Sequence, residues 1–194
     1  MKRKKKHGCI GLVLAIAFAV LLLYFTAGDG KVEIMKFLHP IKYQDSVEKW
    51  AEEYSLDKYL VYSDKKVESI FNSAAESHVG AKCLMQLMDK TASECNTKEG
   101  FGYSIPDDLF DSDANIRMGC SYLRQLIDTY GDIELAVTAY NAGTGNVKKW
   151  LDDTALADGD GGLREIPYEE TRKYVRKVMK AYENYTKLYK ENSL

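Results

Sequence analysis

The sequence contains little proline and little histidine, with three residues of each among 194. Strand-like patterns are also scarce, because period-two alternation of apolar and polar residues is hard to find beyond residue 30 and few segments are rich in β-branched residues. No internal repeat is present. A chain of this length forms one domain with a real core. The sequence therefore predicts a mainly α, compact helical bundle, with at most a very small β-hairpin between about Asn96 and Ser104.

Cysteine is also sparse, and neither cysteine nor histidine is spaced for zinc. There are four cysteines. Cys9 lies in an apolar N-terminal run, and the other three, Cys83, Cys95 and Cys120, cannot all pair within one chain. A Cys95–Cys120 disulfide is conceivable, while burial as small apolar side chains is the favoured interpretation for at least Cys120.

A group of aspartates between residues 152 and 160 raises the alternative of a calcium loop, because hard cations take oxygen ligands. The group comprises Asp152, Asp153, Asp158 and Asp160. Its spacing fits no complete EF-hand, and the neighbouring glycines indicate a flexible surface loop. The sequence therefore predicts no metal site and no cofactor.

The N-terminus is divided by charge. Residues 1–8 are almost all basic, and residues 9–27 carry no charge. A helix of that length just crosses a hydrocarbon core of ~30 Å. A cleaved signal peptide is the alternative, but its apolar run is usually ~7–15 residues and ends in small side chains, where this chain has Phe25.

We therefore expect four segments in this chain. Residues 1–8 form a cytoplasmic basic segment, residues 9–27 a transmembrane signal-anchor, residues 28–43 a stalk, and residues 44–194 the main folded domain. The positive N-terminus places the protein in the cytoplasmic membrane as a single-pass protein with its domain on the extracytoplasmic side.

Little net positive charge remains outside the anchor. Five of the 27 Lys and Arg residues lie before residue 9, so 22 basic and 29 acidic residues remain, a net charge of −7. Nucleic acid and anionic lipid are poor partners for such a surface.

Helical spacing continues through most of the chain after residue 43. Asp45 or Ser46 can cap a first helix, and Asp57 can cap a second helix that runs toward Glu68. Further helices are predicted over residues 81–95, 115–130, 133–140 and 146–151. Gly131 ends the second of these four, and Pro167 opens the last helix of the chain.

Three ordered segments carry the candidate chemistry. They are Lys66-Val67-Glu68-Ser69-Ile70-Phe71-Asn72, Gly80-Ala81-Lys82-Cys83-Leu84-Met85-Gln86 and Ala139-Tyr140-Asn141-Ala142-Gly143-Thr144-Gly145-Asn146-Val147. An acid that donates a proton to a glycosidic oxygen needs a pKa above the ordinary ~4.3 of Glu, and burial against apolar groups supplies that rise. Candidates for the apolar surroundings of Glu68 are Phe71, Leu84, Met85 and Tyr140. No second acid in the three segments is an obvious partner for Glu68, so a single-acid mechanism is favoured.

Together the three segments resemble the lytic transglycosylase domain, of the soluble lytic transglycosylase-like and goose-type lysozyme-like family, over about residues 56–182. The resemblance implies a lysozyme-like fold and cleavage of peptidoglycan glycan strands. Glu68 would act first as general acid and then as general base, and the N-acetylmuramic acid 6-hydroxyl would attack to give a 1,6-anhydro product. Alternatives are a lysozyme-like hydrolase and an inactive peptidoglycan-binding module. An anchored enzyme of this kind could serve a membrane-associated wall-remodelling assembly.

The resemblance also assigns the substrate-binding residues. Ser69 and Ser77 would hydrogen-bond near the cleaved bond, and the amide of Gln86 would contact the glycan. The full set of candidates is Ser69, Ser77, Met85, Gln86, Tyr140, Asn141 and Tyr174.

Two features depart from the family pattern. Asp64, Lys65 and Lys66 precede Glu68 where the family has apolar residues, so this helix must be turned, frayed or internally paired, because an unpaired buried charge is costly. Cys83 stands where the family usually has Gly, and a thiol there could crowd the pocket. We expect a weak but working enzyme.

Overall fold

The computed structural model describes residues 4–27 and 29–190, and the side chains of residues 4–10, 25–27 and 29 are outside that description. The chain divides into two compact units. One consists of the residues up to Pro40 and those from Leu188 onward, and the other is Ile41–Lys187.

The first unit contains the predicted anchor and most of the predicted stalk, which continues to residue 43 in the second unit. Helix α1 spans Lys4–Ala27 and helix α2 spans Asp29–Leu38, so most of the predicted stalk is helical. Part of the predicted cytoplasmic segment and the ends of the predicted anchor lie outside the described part of the chain. This applies to residues 1–3 as a whole and to the side chains of residues 4–10 and 25–27. Within residues 4–27 and 29–190, no helix has both the length and the apolar character that a membrane crossing requires.

The second unit is a helical bundle, as predicted. Its helices are α3 (Gln44–Glu53), α4 (Lys58–Ser69), α5 (Asp89–Glu99), α6 (Ser112–Tyr130), α7 (Ile133–Ala142), α8 (Thr144–Asp152) and α9 (Glu169–Tyr185). A 3-10 turn at Asp107–Phe110 precedes α6. Helix α4 packs on α3 and α9, and α7 packs on α6, α8 and α9.

Local sequence accounts for several helix ends. Asp57 accepts a hydrogen bond from the Tyr59 N–H at 2.8 Å and caps α4, as predicted. Gly131, with φ +68°, ends α6 in the left-handed conformation that glycine adopts without strain. The predicted caps Asp45 and Ser46 are wrong, because α3 already begins at Gln44.

Only the second part of the helix predicted over residues 81–95 is helical. Residues 81–88 form a loop with isolated antiparallel bridges, Glu76 to Lys82 and Lys82 to Leu87, and α5 begins only at Asp89. Cys83 and Gln86 have φ values of +64° and +43°, and a right-handed helix cannot include such residues.

The small hairpin that the sequence allowed between about Asn96 and Ser104 is not formed. Residues 96–99 belong to α5, and no strand is assigned between 100 and 104. The Asn96 side chain closes this loop by bonding both the N–H and the carbonyl of Tyr103, at 3.0 and 2.8 Å. A side-chain amide has replaced the backbone pairing that a hairpin would use.

Candidate active site

Glu68 lies in the last turn of α4, immediately before a sharp change of chain direction. Ile70 and Phe71 follow it with φ values of +53° and +61°. A positive φ is unfavourable for a β-branched residue such as Ile70. The turn buries Phe71 while leaving Ile70 exposed. Local strain of this kind clusters at functional sites, and here it directly follows the candidate acid.

A cavity of about 450 Å³ opens beside Glu68. Three of its lining residues are sequence-predicted site residues, namely Glu68, Asn141 and Tyr174. The other lining residues are Val67, Glu169, Glu170, Lys173 and Lys177. Residues from α4, α7 and α9, up to 110 positions apart in the chain, therefore share one concave surface.

The Glu68 carboxyl has the protonation behaviour of a general acid. Burial raises its pKa to about 8, the negative charge of Asp64 adds to the rise, and the Tyr174 hydroxyl offsets part of it. Three of the residues predicted to form its apolar surroundings, Phe71, Leu84 and Met85, are buried. A glutamic acid of this kind keeps its proton at neutral pH.

Asp64 is the site residue that the sequence interpretation missed. Its carboxyl is 2% exposed, and its Oδ1 accepts a 2.6 Å hydrogen bond from the Tyr174 hydroxyl. Burial raises the Asp64 pKa to about 7, and the Tyr174 bond and the Lys65 charge offset part of that rise. The signal was present in the sequence, because residues four apart on a helix lie on the same face.

Lys65 lies within α4 and is fully buried, so the neighbouring charged residues Asp64 and Lys65 do not fray the helix. Its Nζ donates to the Lys42 carbonyl at 3.2 Å. The ammonium also lies 5.1 to 5.5 Å from the ring centroids of Tyr43, Tyr62 and Phe71. These partners are those that cation–π attraction favours. Burial nevertheless lowers the pKa of Lys65 to about 7.

The loop that carries Met85 and Gln86 is held by a buried asparagine that the sequence interpretation also missed. Asn115 Oδ1 accepts from the Met85 N–H at 2.9 Å, and its Nδ2 donates to the carbonyls of Lys82 and Leu109 at 3.2 Å. From the other side, the Tyr140 hydroxyl donates to the Met85 carbonyl at 2.8 Å. Both backbone groups of Met85 are thus fixed by side chains from α6 and α7.

Several sequence-predicted site residues form bonds within the fold. The Ser69 hydroxyl lies within hydrogen-bonding distance of the Leu84 carbonyl at 2.9 Å and of the Lys65 carbonyl at 3.1 Å, and donation to Leu84 ties α4 to the loop. Ser77 Oγ accepts from the Ala81 N–H. The Gln86 amide donates to the carbonyls of Cys83 and Ala75. Ser69, Ser77, Met85, Gln86 and Tyr140 do not line the cavity beside Glu68.

The aspartate-rich segment forms a self-contained turn. Asp158 Oδ1 accepts from the N–H groups of Asp160 and Gly162, both at 2.8 Å. Among the described residues, no cluster of His, Cys, Asp and Glu is arranged to hold a metal ion. Cys83, Cys95 and Cys120 are buried free thiols, so the conceivable Cys95–Cys120 disulfide is not formed.

A helical bundle in which a half-buried glutamic acid faces a cavity is the arrangement of lysozyme-like domains. The profile of the Transglycosylase SLT domain matches residues 45–160, and the chain belongs to this family. It is 34% identical over 155 residues to the soluble lytic murein transglycosylase of Escherichia coli strain K12, covering 77% of this chain and 24% of that protein. It is 31% identical over 169 residues to the membrane-bound lytic murein transglycosylase C of Edwardsiella ictaluri, covering 76% and 47%.

Solved structures show the same fold. An inactive mutant of lytic transglycosylase Slt from Pseudomonas aeruginosa superposes with a TM-score of 0.71 at 35% identity, covering 79% of this chain and 25% of that one. The 70 kDa soluble lytic transglycosylase of Escherichia coli gives 0.73 at 31% identity, with the same coverages. The chain therefore spans about a quarter of the length of the soluble relatives it matches.

Proposed function

We propose that this protein is a peptidoglycan lytic transglycosylase that uses Glu68 as its acid and base. The observation that supports this most strongly is the Glu68 carboxyl itself, which faces a cavity and whose pKa burial raises to about 8. Membership of the SLT domain family favours the transglycosylase over other glycan-cleaving activities. The substrate would be the β-1,4 bond between N-acetylmuramic acid and N-acetylglucosamine.

In the first step, protonated Glu68 gives its proton to the glycosidic oxygen. The bond from C1 of the muramic acid to that oxygen breaks, and the N-acetyl oxygen of the same sugar bonds to C1 in its place. The leaving sugar departs with a free 4-hydroxyl. No second carboxylate needs to reach C1, in agreement with the burial of Asp64 away from solvent.

In the second step, the Glu68 carboxylate removes the proton of the 6-hydroxyl. O6 then bonds to C1 and displaces the N-acetyl oxygen, which leaves a 1,6-anhydro sugar and returns the proton to Glu68. The reaction is intramolecular, so it gains from high effective molarity and consumes no water.

The other site residues divide into two proposed roles. Asn141 and Tyr174 would contact the glycan, because both line the cavity with Glu68. Ser69, Met85 and Tyr140 would shape the site by fixing the loop against α4 and α7, as their hydrogen bonds suggest. Ser77 and Gln86 would hold the turns of that loop in position to meet the sugar.

The test is mass spectrometry of the soluble products released from peptidoglycan by the purified chain. The wild type should release products with 1,6-anhydro ends, lighter by one water than reducing sugars, and Glu68→Gln should release none. A matched control is Glu94→Gln, which makes the same chemical change at an exposed position on α5 and should cleave like the wild type. Thermal melting of all three proteins would exclude loss of fold as the cause.

The other outcomes point to the two alternative functions. Products with reducing ends would identify a lysozyme-like hydrolase. A folded wild type that releases nothing yet still sediments with peptidoglycan would identify a binding module.

We further propose that residues 9–27 attach the domain to the membrane. The support is that this run carries no charge and that its described side chains, from Gly11 to Tyr24, are exposed. A helix that is apolar all round needs an apolar environment. Most of the full-length protein should remain in the membrane pellet after alkaline extraction, and a variant that lacks residues 9–27 should be released from the pellet. Equal release of both forms would contradict the proposal.

A further inference from the structure

Asp64 is an acid at a position outside the three segments that carry the family resemblance. It lies one helical turn before Glu68, and side chains four residues apart on a helix are neighbours, with about 5–6 Å between Cβ atoms. Its Oδ1 is bonded to Tyr174, while its Oδ2 is buried without a hydrogen-bond partner among the described residues. Burial of a half-satisfied carboxyl is costly, so its persistence requires an explanation.

Tyr174 relates the two acids. Its hydroxyl donates to Asp64 at 2.6 Å, and the same residue lines the cavity together with Glu68. A phenol has a single hydrogen and cannot donate to both acids at once. While that hydrogen is on Asp64, it does not stabilise a Glu68 carboxylate. The arrangement therefore fits a protonated Glu68 next to an ionised Asp64.

Other titratable groups around the pair do not reverse this assignment. Those near Asp64 are Lys65 on α4, Cys120 on α6, Tyr140 on α7 and Tyr174 on α9. Lys65 is the only cation among them, and its Nζ is bonded to the Lys42 carbonyl. Glu169, Glu170, Lys173 and Lys177 line the cavity on the α9 side. Lys173 is paired with Glu169 at 2.6 Å.

We propose that Asp64 is a positioning residue for Glu68: its carboxylate, held by the Tyr174 hydroxyl, keeps the proton on Glu68 and so presents Glu68 to the sugar as an acid. This inference rests on the proposed function. It also assigns a part to Asp64 in the second step. Once Glu68 has given up its proton, two buried carboxylates face each other, and their repulsion favours recapture of a proton from the 6-hydroxyl. The proton returns to Glu68, so the step balances.

The direct test follows the titration of Glu68 by ¹³C NMR in the whole chain with labelled glutamate, the Glu68 signal being assigned from its loss in Glu68→Gln. Asp64→Asn removes the charge and keeps the shape, and the Glu68 pKa should fall by at least about one unit, as expected for strongly interacting carboxyls. Because an Asn amide could itself stabilise a Glu68 carboxylate, Asp64→Leu, which donates no hydrogen bond, must show the same direction. Asp107→Asn removes an equal charge at an exposed position and should leave the Glu68 titration in place.

The second readout is the pH dependence of kcat/KM for peptidoglycan cleavage. Its alkaline limb reports loss of the Glu68 proton and should move to lower pH in both Asp64 variants. The rate at pH 8 relative to pH 6 should then fall about fivefold when the Glu68 pKa falls from 8 to 7. A limb or a Glu68 titration that stays in place in both folded variants would overturn the role of Asp64 while leaving the proposed function intact. Failure of the proposed function would look different, with no cleavage by the wild type or full cleavage by Glu68→Gln.

Discussion

Replacement of Asn115 by Leu should destabilise the protein strongly, although Asn115 lies outside the cavity. The side chain is fully buried and forms three hydrogen bonds to backbone groups. Leu keeps the branched skeleton of Asn, so the change removes these bonds without creating a hole, while its bulkier methyl groups add to the strain in the buried site. The substitution therefore tests the hydrogen bonds by which Asn115 holds the loop that carries Met85.

The magnitude follows from the groups left without partners. The Met85 N–H loses its acceptor, and the Leu109 carbonyl loses the Asn115 amide as a donor. The Lys82 carbonyl keeps a second bond, from the Leu87 N–H at 3.1 Å. Each buried group left unsatisfied costs about 1–3 kcal/mol, so two of them predict a loss of about 2–5 kcal/mol. Domains of this size have only about 5–15 kcal/mol in total.

Urea unfolding at neutral pH measures this free energy directly, with the midpoint and slope fitted together. A matched control is Asn72→Leu, because Asn72 makes a single side-chain bond, to the Ala74 N–H, in an exposed turn. The control should lose less than about 1 kcal/mol. A loss below about 1 kcal/mol for Asn115→Leu as well, with an unchanged slope, would refute the argument that Asn115 holds the loop.

Three other predictions concern the buried charges and the strained loop. Burial raises the pKa of Asp64 to about 7 and that of Glu68 to about 8, so the contribution of the two carboxyls to stability is complete below about pH 4 and declines as pH rises through those values. Urea unfolding should show that the free energy of unfolding falls by about 1 kcal/mol per pH unit per carboxyl near pH 5–7. The slope should be smaller in Asp64→Asn. Lys65→Met should stabilise the protein, and the gain should be larger at pH 6 than at pH 9. The pKa of Lys65 is lowered to about 7, so the buried side chain is a costly ammonium at pH 6 and is mostly neutral at pH 9. An equal gain in stability at both pH values would contradict this. Cys83→Gly should change the free energy of unfolding by less than about 1 kcal/mol, because relief of the positive φ offsets the loss of a buried thiol. A decrease of more than about 2 kcal/mol in urea unfolding would show that the thiol is needed for packing.

Local chemistry made much of the fold predictable. The Asp57 cap and the Gly131 helix end depend only on neighbouring residues, and both are confirmed. Glu68, Asn141 and Tyr174, which the family resemblance assigns to the site, also line one cavity. The two helix ends depend on spacing and turn chemistry, which a sequence displays directly, whereas the grouping of the site residues was implied only by the resemblance.

The wrong predictions share a different cause. Residues 81–88 have helical spacing of apolar residues, yet Cys83 and Gln86 adopt left-handed conformations that side chains from α6 and α7 stabilise through Met85. The hairpin near residue 100 is replaced by a side-chain bridge from Asn96. In both places a tertiary or side-chain hydrogen bond overrides the local pattern, and such partners cannot be read from the segment itself.

The charges before Glu68 show why the departure from an apolar pattern need not weaken the site. From sequence, Asp64 and Lys65 are two charges in a helix that should be buried, and their cost depends on partners far along the chain. Asp64 accepts a hydrogen bond from Tyr174, 110 positions away. Lys65 donates to the Lys42 carbonyl and lies close to three aromatic rings. Each charge has its own partner, so removing one should not simply expose the other. If Asp64 also maintains the proton on Glu68, replacement by the apolar residue typical of the family should make the protein more stable and, near pH 8, less active.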